Sequence, residues 1–250
     1  MLKKPYILFI ISFILITNSY SQELTKDDSR GILYRIERTG GALIHTDGWG
    51  IIYRQGKHIT GFKKRMYEFE FVNMKHPKEM RTSNESYSNS KSFIYGKTNN
   101  FFILRTGIGL QRIINGKSNP TNVEIRYLLF GGLSMGMTKP VYLYILDNNN
   151  MPTEDTFIIE KYDPSKHNSN NIIGRAPFLR GMEEMKFHPG LYSKFGINFE
   201  YSSEGGRIKS LEVGAIVDAY PKTIDIMAFA KNKNIFLSFY LSFHLGVKKN

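Results

Sequence analysis

The chain has 250 residues, room for one ordinary domain or one membrane barrel, with 41% apolar residues, 14% aromatic residues and a formal charge of +12. It contains no cysteine, which excludes a disulfide framework and any thiolate chemistry. The positive charge biases the protein toward anionic partners such as lipopolysaccharide phosphates or acidic polymers.

The first residues predict export. Lys3 and Lys4 form a positive start, Ile7 to Ile16 is apolar apart from Ser12, and Ser19 and Ser21 are small residues in a polar end. That order predicts a signal peptide over 1–21, cleaved after Ser21 to leave Gln22. An uncleaved anchor is the weaker reading, because about 10 apolar residues cannot span about 30 Å of hydrocarbon as a helix. Export also argues against nucleic acid as a partner. The mature charge is +10 without Lys3 and Lys4, and Lys57, Lys63-Lys64-Arg65, Lys75 and Lys231 read as a solvated rim.

Residues 22–40 begin polar and are expected to be a periplasmic N-terminal segment, with the barrel proper over 41–250. From residue 41 the signal is alternation with period two. Strand one is expected at about 42–54, with Trp49, Ile51 and Tyr53 on one face. Tyr67, Phe69 and Phe71 oppose Glu68 and Glu70; Phe102, Leu104, Ile108 and Leu110 oppose Arg105, Gly107, Gly109 and Gln111. Val123, Ile125, Tyr127 and Leu129 oppose Glu124 and Arg126, and a further strand is expected at about 139–147 after a tight turn at Met137-Thr138-Lys139. Leu191, Phe195, Ile197 and Phe199 oppose Lys194, Gly196, Asn198 and Glu200; Leu211, Val213, Ala215 and Val217 oppose Ser210, Glu212, Gly214 and Asp218. The last strand is the clearest, with Ile235, Leu237, Phe239, Leu241, Phe243, Leu245 and Val247 on one face. The expected fold class is therefore all-β, an antiparallel transmembrane β-barrel of eight strands. Its external connections are expected at about 55–61, 115–122, 148–187 and 220–234. The long connection 75–99 then falls on the periplasmic side, where turns are usually short.

A soluble antiparallel barrel or sandwich would alternate too, so the chemistry of the two faces has to decide. The less apolar face combines charges with recurrent glycines, among them Gly107, Gly109, Gly132, Gly136, Gly196 and Gly214. A solvated face gains nothing from glycine, whereas a narrow closed interior gains room. The aromatic-rich face suits the interfaces of a bilayer. Arg105, Glu124, Arg126, Lys194, Glu200, Glu212 and Asp218 are expected to form an interior charge network. Arg105, Glu124 and Arg126 make one cluster, and Lys194, Glu200, Glu212 and Asp218 another. Pairing would offset the cost of burying them, and an eight-stranded barrel is just wide enough for its own side chains. A charged conduit is the alternative.

No catalytic centre, metal site or cofactor is expected. The six histidines lack zinc-site spacing. His45-Thr46-Asp47 is expected to lie outward with Trp49, at a strand end in the headgroup zone; a lipid-headgroup site is its sharper reading. Ser242 and His244 share a face, but the alternation turns it inward, away from any acyl chain. Glu68 and Glu70 are expected to be interior polar residues rather than glycosidase carboxylates.

Ser19-Tyr20-Ser21-Gln22, the stretch Gly48-Trp49-Gly50-Ile51-Ile52-Tyr53-Arg54 and the aromatic last strand 235–247 together resemble the small outer-membrane β-barrel proteins of Bacteroidetes-type bacteria. Such barrels often end at an aromatic residue, whereas this chain runs on through Gly246-Val247-Lys248-Lys249-Asn250. The resemblance implies a non-enzymatic scaffold in the bacterial outer membrane, such as an accessory subunit of an assembly or secretion machinery. Its partners would be outer-membrane lipids, lipopolysaccharide and other envelope proteins docked through 75–99 and 148–187. A lipid-modifying enzyme or a small porin or transporter of the same fold is the alternative.

Overall fold

A computed structural model of the chain describes residues 36–84, 90–116, 122–146, 157–201 and 206–249. The expected signal peptide and residues 22–35 of the expected lead-in lie outside the described residues. The strands are β1 (Ile36–His45), β2 (Gly48–His58), β3 (Lys63–Met74), β4 (Arg81–Thr82), β5 (Phe93–Ile94), β6 (Asn99–Asn115) and β7 (Glu124–Pro140). They continue with β8 (Tyr142–Leu146), β9 (Phe157–Lys161), β10 (Ile172–Arg175), β11 (Lys186–Glu200), β12 (Arg207–Ile224) and β13 (Lys233–Lys249). Eight of them close a barrel in the order β1-β13-β12-β11-β7-β6-β3-β2, every pair antiparallel. β8, β9 and β10 make a small separate sheet, and β4 pairs with β5.

Two strand boundaries differ from the sequence expectation, and they change the topology. The expected strand 42–54 is a hairpin: Thr46 and Asp47 form its turn, and His45 pairs with Gly48. β1 begins at Ile36, so residues 36–40 are barrel rather than lead-in. The expected turn at Met137-Thr138-Lys139 is strand, because β7 runs unbroken to Pro140, and the expected strand 139–147 is mostly β8, outside the barrel. One strand gained and one lost leave the count at eight, but the connections between them change ends. Ile36 pairs with both Lys249 and Lys57, so the chain's two described ends share a rim, here the terminal end. The turn 59–62 lies there too, as do the end of β6 and start of β7 and the end of β11 and start of β12, against the expectation that 55–61 and 115–122 face outside. The distal end carries 46–47, the described residues of 75–98 and 141–185, and 225–232. All the long connections therefore leave the barrel on one side.

The faces are inverted relative to a soluble protein. Along β13 every residue of the expected apolar face is exposed, from Ile235 at 56% to Val247 at 43%. Trp49, Ile51 and Tyr53 on β2, Tyr67 and Phe69 on β3, Leu129 and Leu133 on β7, and Leu191 and Phe195 on β11 continue the apolar wall. Soluble monomers rarely expose apolar patches beyond a few hundred Å². At about 3.3 Å per residue and a tilt of about 40°, the apolar column is about 20 Å tall on β6 and about 30 Å on β13, which matches the apolar band of a membrane barrel. At the terminal end this wall stops at outward, exposed cations: Arg38, Lys57, Arg65, Arg112 and Lys209. Such long side chains reach headgroups while their stems stay on the apolar wall. The chain is a transmembrane β-barrel.

The inward face is filled. Near the distal end Phe101 packs edge-on to Tyr220, and Phe236 leans on both, with Val72, Met74, Ile224, Ile226 and Met227 around them. Glycine makes room for the largest rings. The Tyr192 hydroxyl lies where a side chain at Gly107 would start, and the Tyr240 hydroxyl does the same over Gly196.

Candidate functional site

The seven residues expected inside the barrel all face the lumen, and most pair differently from the expectation. Arg105, on β6, makes a two-point bond to Asp218 on β12, at 2.9 and 2.7 Å, and reaches Glu70 at 3.0 Å. Lys194 bridges Glu70 and, at 3.1 Å, Glu68. Arg54 joins Glu68 at 2.6 Å and grips Glu212 at 2.6 and 2.8 Å. The result is one alternating chain across the lumen, Asp218-Arg105-Glu70-Lys194-Glu68-Arg54-Glu212. Tyr192 donates to Glu68 at 3.2 Å, Tyr240 to Glu212 at 2.7 Å and Ser134 to Asp218 at 2.8 Å, which satisfies further carboxylate lone pairs. A second cluster lies toward the terminal end. Arg126 meets Glu124 and Glu200, each at 2.5 Å, and Lys64 meets Glu37 twice at 2.7 Å.

Arg105 therefore belongs with Asp218 and Lys194, not with Glu124 and Arg126, and Glu200 belongs with Arg126. Sequence reasoning passed over Arg54 and Glu37, although Arg54 alternates with Tyr53 and was legible. Lys64 is a correction: it is 1% exposed inside the barrel, not part of a solvated rim. The low interior permittivity makes these pairs strong only while each charge keeps its partner.

The other singled-out residues separate. His45 points inward, its Nε2 3.2 Å from the Asn73 carbonyl and its Nδ1 accepting from the Asp47 amide at 3.3 Å, so it does not share Trp49's outward face. The two-residue turn reverses the alternation between them. Ser242 Oγ and His244 Nε2 lie 2.9 Å apart, with Glu212 3.7 Å from the imidazole, but both residues are 1% exposed inside the barrel. An acyl chain on the outer wall has no access to that hydroxyl.

The distal connections build the accessible site. They are tied together by the Lys97 to Met227 bridge, by Val141 N to Thr98 O at 3.0 Å, by Ala228 N to Gly96 O at 2.7 Å and by Ser90 Oγ to Ile173 O at 2.8 Å. Phe93, Leu143, Ile145, Tyr162 and Ile172 give this cap its own apolar core. A cleft of about 500 Å³ opens between the cap and the distal rim of the barrel. Lys75, Arg81, Lys91, Lys97, Lys139 and Arg175 line it, against one acid, Glu79. Glu79 is engaged by Lys97 at 2.7 Å and by the His76 amide at 3.0 Å. Burial pushes the Lys97 ammonium below its ordinary value, Lys75 and Arg81 add to that, and Glu79 opposes it. Lys139 is buried; its Nζ donates to the carbonyls of Phe178 at 2.8 Å and Arg180 at 3.1 Å and lies 4.7 Å from the centre of the Phe178 ring. Gly181, with φ of 78°, sits in the left-handed region that glycine adopts freely and lets the 177–182 turn fold back over Lys139. Composition alone could not find this cleft, because its cations come from four separate stretches of sequence.

No family model and no curated protein matches the sequence. Among solved structures the chain is similar to Neisserial surface protein A, with 11% identity and a TM-score of 0.39 over 86% of this chain and 96% of that one. It is also similar to Ail, the attachment invasion locus protein of Yersinia pestis, solved in complex with the heparin analogue sucrose octasulfate. There the identity is 6% and the TM-score 0.37, over 86% of this chain and 96% of that one. At such levels the fold rests on the chain's own strand pairing.

Proposed function

We propose that this protein sits in a bacterial outer membrane and acts without catalysis, as an accessory subunit of an envelope protein complex that assembles or secretes other proteins. The observation that carries the reading is the cap. Two long distal connections share an apolar core of their own and the third is tied to them by backbone bonds, while the lumen beneath is filled by paired charges and aromatic rings. A filled interior favours an anchor over a conduit. Long connections on a membrane barrel face outside, which puts the cap beyond the outer leaflet and the terminal end in the periplasm.

The cap also displays apolar groups suited to a protein partner. Phe229 is 72% exposed, held at φ of 58°, and stacks on Tyr95 with ring centres 6.3 Å apart. A bulky residue in that backbone region is strained, and strain of this kind gathers at binding surfaces.

Affinity purification of the full chain from solubilised outer membranes tests the reading. A stoichiometric envelope protein is expected with the wild type and is expected to be lost in a Tyr95→Ala, Phe229→Ala variant that still migrates as a folded barrel. A chain that purifies alone and alters the acylation of lipid A would instead establish the enzymatic alternative.

A further inference from the structure

The basic cleft does not open into the lumen. In the alternation of β3, β6 and β7 the residues Asn73, Asn100 and Lys139 fall on the outward face, and all three line the cleft. Asn73, Asn100 and Lys139 therefore make one wall of the cleft from the outside of the barrel, and the 175–178 segment and the other cations line it from the connections. Directly below it the same wall is apolar. Phe178 packs edge-on against Phe102 with ring centres 6.2 Å apart, and Phe102 stacks on Phe71 at 5.9 Å with planes 10° apart. Strand pairing places Phe102 beside Met137, and Leu104 beside Phe71 and Met135, so the apolar wall continues across three strands. A positively charged pocket thus stands on top of a lipid-facing aromatic ladder, at the height where the distal apolar band ends.

We propose that this cleft binds the phosphate-bearing headgroup of an anionic membrane lipid, whose acyl chains descend along Phe178, Phe102 and Phe71. Charge complementarity selects the headgroup. With Glu79 held by Lys97, the cations Lys75, Arg81, Lys91, Lys139 and Arg175 have no ion-pair partner among the described residues. A volume of about 500 Å³ accommodates a phosphorylated sugar headgroup. Continuity with the apolar wall selects a lipid over a soluble anion, because a free phosphate or a polyanionic glycan makes no use of the ladder. The assignment rests on the transmembrane reading of the barrel.

The test uses the full chain in nanodiscs of phosphatidylcholine doped with bis-phosphorylated lipid A, read by native mass spectrometry and by displacement of a fluorescent lipid A. Retention of lipid A is expected to exceed that of phosphatidylcholine at least tenfold. Lys75→Gln with Arg175→Gln, both exposed residues, is expected to reduce it about tenfold, and adding Lys139→Gln to reduce it further. Lys231→Gln, a distal cation outside the cleft, is expected to change nothing. Phe102→Ala is expected to weaken lipid A while leaving glucose 1-phosphate unaffected. Equal retention by the Lys75, Arg175 variant overturns the site. Equal displacement by glucose 1-phosphate or by heparin overturns the lipid assignment. Each protein is first checked for a heat-modifiable folded form; a wild type without one overturns the barrel reading itself, a failure distinct from that of the site.

Discussion

Arg105 and Asp218 lie 113 residues apart, on strands that are not neighbours, yet they meet across the lumen in a two-point ion pair at 2.9 and 2.7 Å. Removing one partner strands the other in a medium that cannot solvate it. Arg105→Leu leaves both Asp218 and Glu70 short of a cation and is expected to destabilise the barrel by about 3–5 kcal/mol. Arg105→Leu combined with Asp218→Leu is expected to cost clearly less than the two single changes added together. Urea unfolding in detergent micelles, followed by the folded gel band, measures both; strict additivity would mean the pair is not coupled.

The lipid-facing wall makes a prediction that a soluble barrel would not. Leu133 is 63% exposed near the middle of β7. In water Leu133→Arg would be close to neutral, whereas at the centre of a bilayer it is expected to cost about 2–4 kcal/mol. The same change at Gln55, near the terminal cations, is expected to cost less than about 1 kcal/mol. Reversible folding into lipid vesicles distinguishes the two depths.

Interior glycines are expected to be intolerant where a ring crosses them. Gly107→Val drives a side chain into the Tyr192 hydroxyl and the Gly131 carbonyl and is expected to cost about 1–3 kcal/mol through overpacking. Gly131→Ala, on the outward face with only ordinary contact at 3.9 Å, is the control and is expected to be neutral. Equal effects at the two positions would remove crowding as the reason for the glycines.

Lys97 gives the cap a pH dependence. Its ammonium is held below the ordinary value of 10.5. Between that lowered value and 10.5 the unfolded chain binds more protons than the folded one, so cap stability is expected to rise with pH across this window. Loss of the same charge weakens any anion held in the cleft, so binding is expected to fall over the same window. Resistance to protease cleavage within 75–98 and lipid A retention, measured from pH 8 upward in about half-unit steps, should move in opposite directions, the first rising and the second falling. In Lys97→Gln both trends are expected to flatten.

Much of the barrel was legible because alternation is local. Ile235 to Val247 shows its lipid face without knowledge of any neighbour, since a strand turns successive side chains to opposite sides. The glycines and charges opposite that face pointed to a narrow interior for the same reason. The order of the connections was not legible. The turn Thr46-Asp47 is only two residues long and barely interrupts the pattern, so β1 and β2 read as one strand. Pro140 and the polar residues before it mimic a turn inside β7. Those two features shift 75–98 from one rim to the other, and only strand pairing reveals it.

The sequence by itself determined which side chains face lipid and which face inward, because that depends on a two-residue repeat and on the solvation of each side chain. Tertiary structure decided which charges become partners and what the connections build. Closure staggers the strands and brings Arg105 to Asp218 rather than to Glu124 or Arg126. It also gathers Lys75, Arg81, Lys91, Lys139 and Arg175 around one cleft above the apolar wall. Such proximity between distant segments is set by the register of the whole barrel, and no local pattern encodes it.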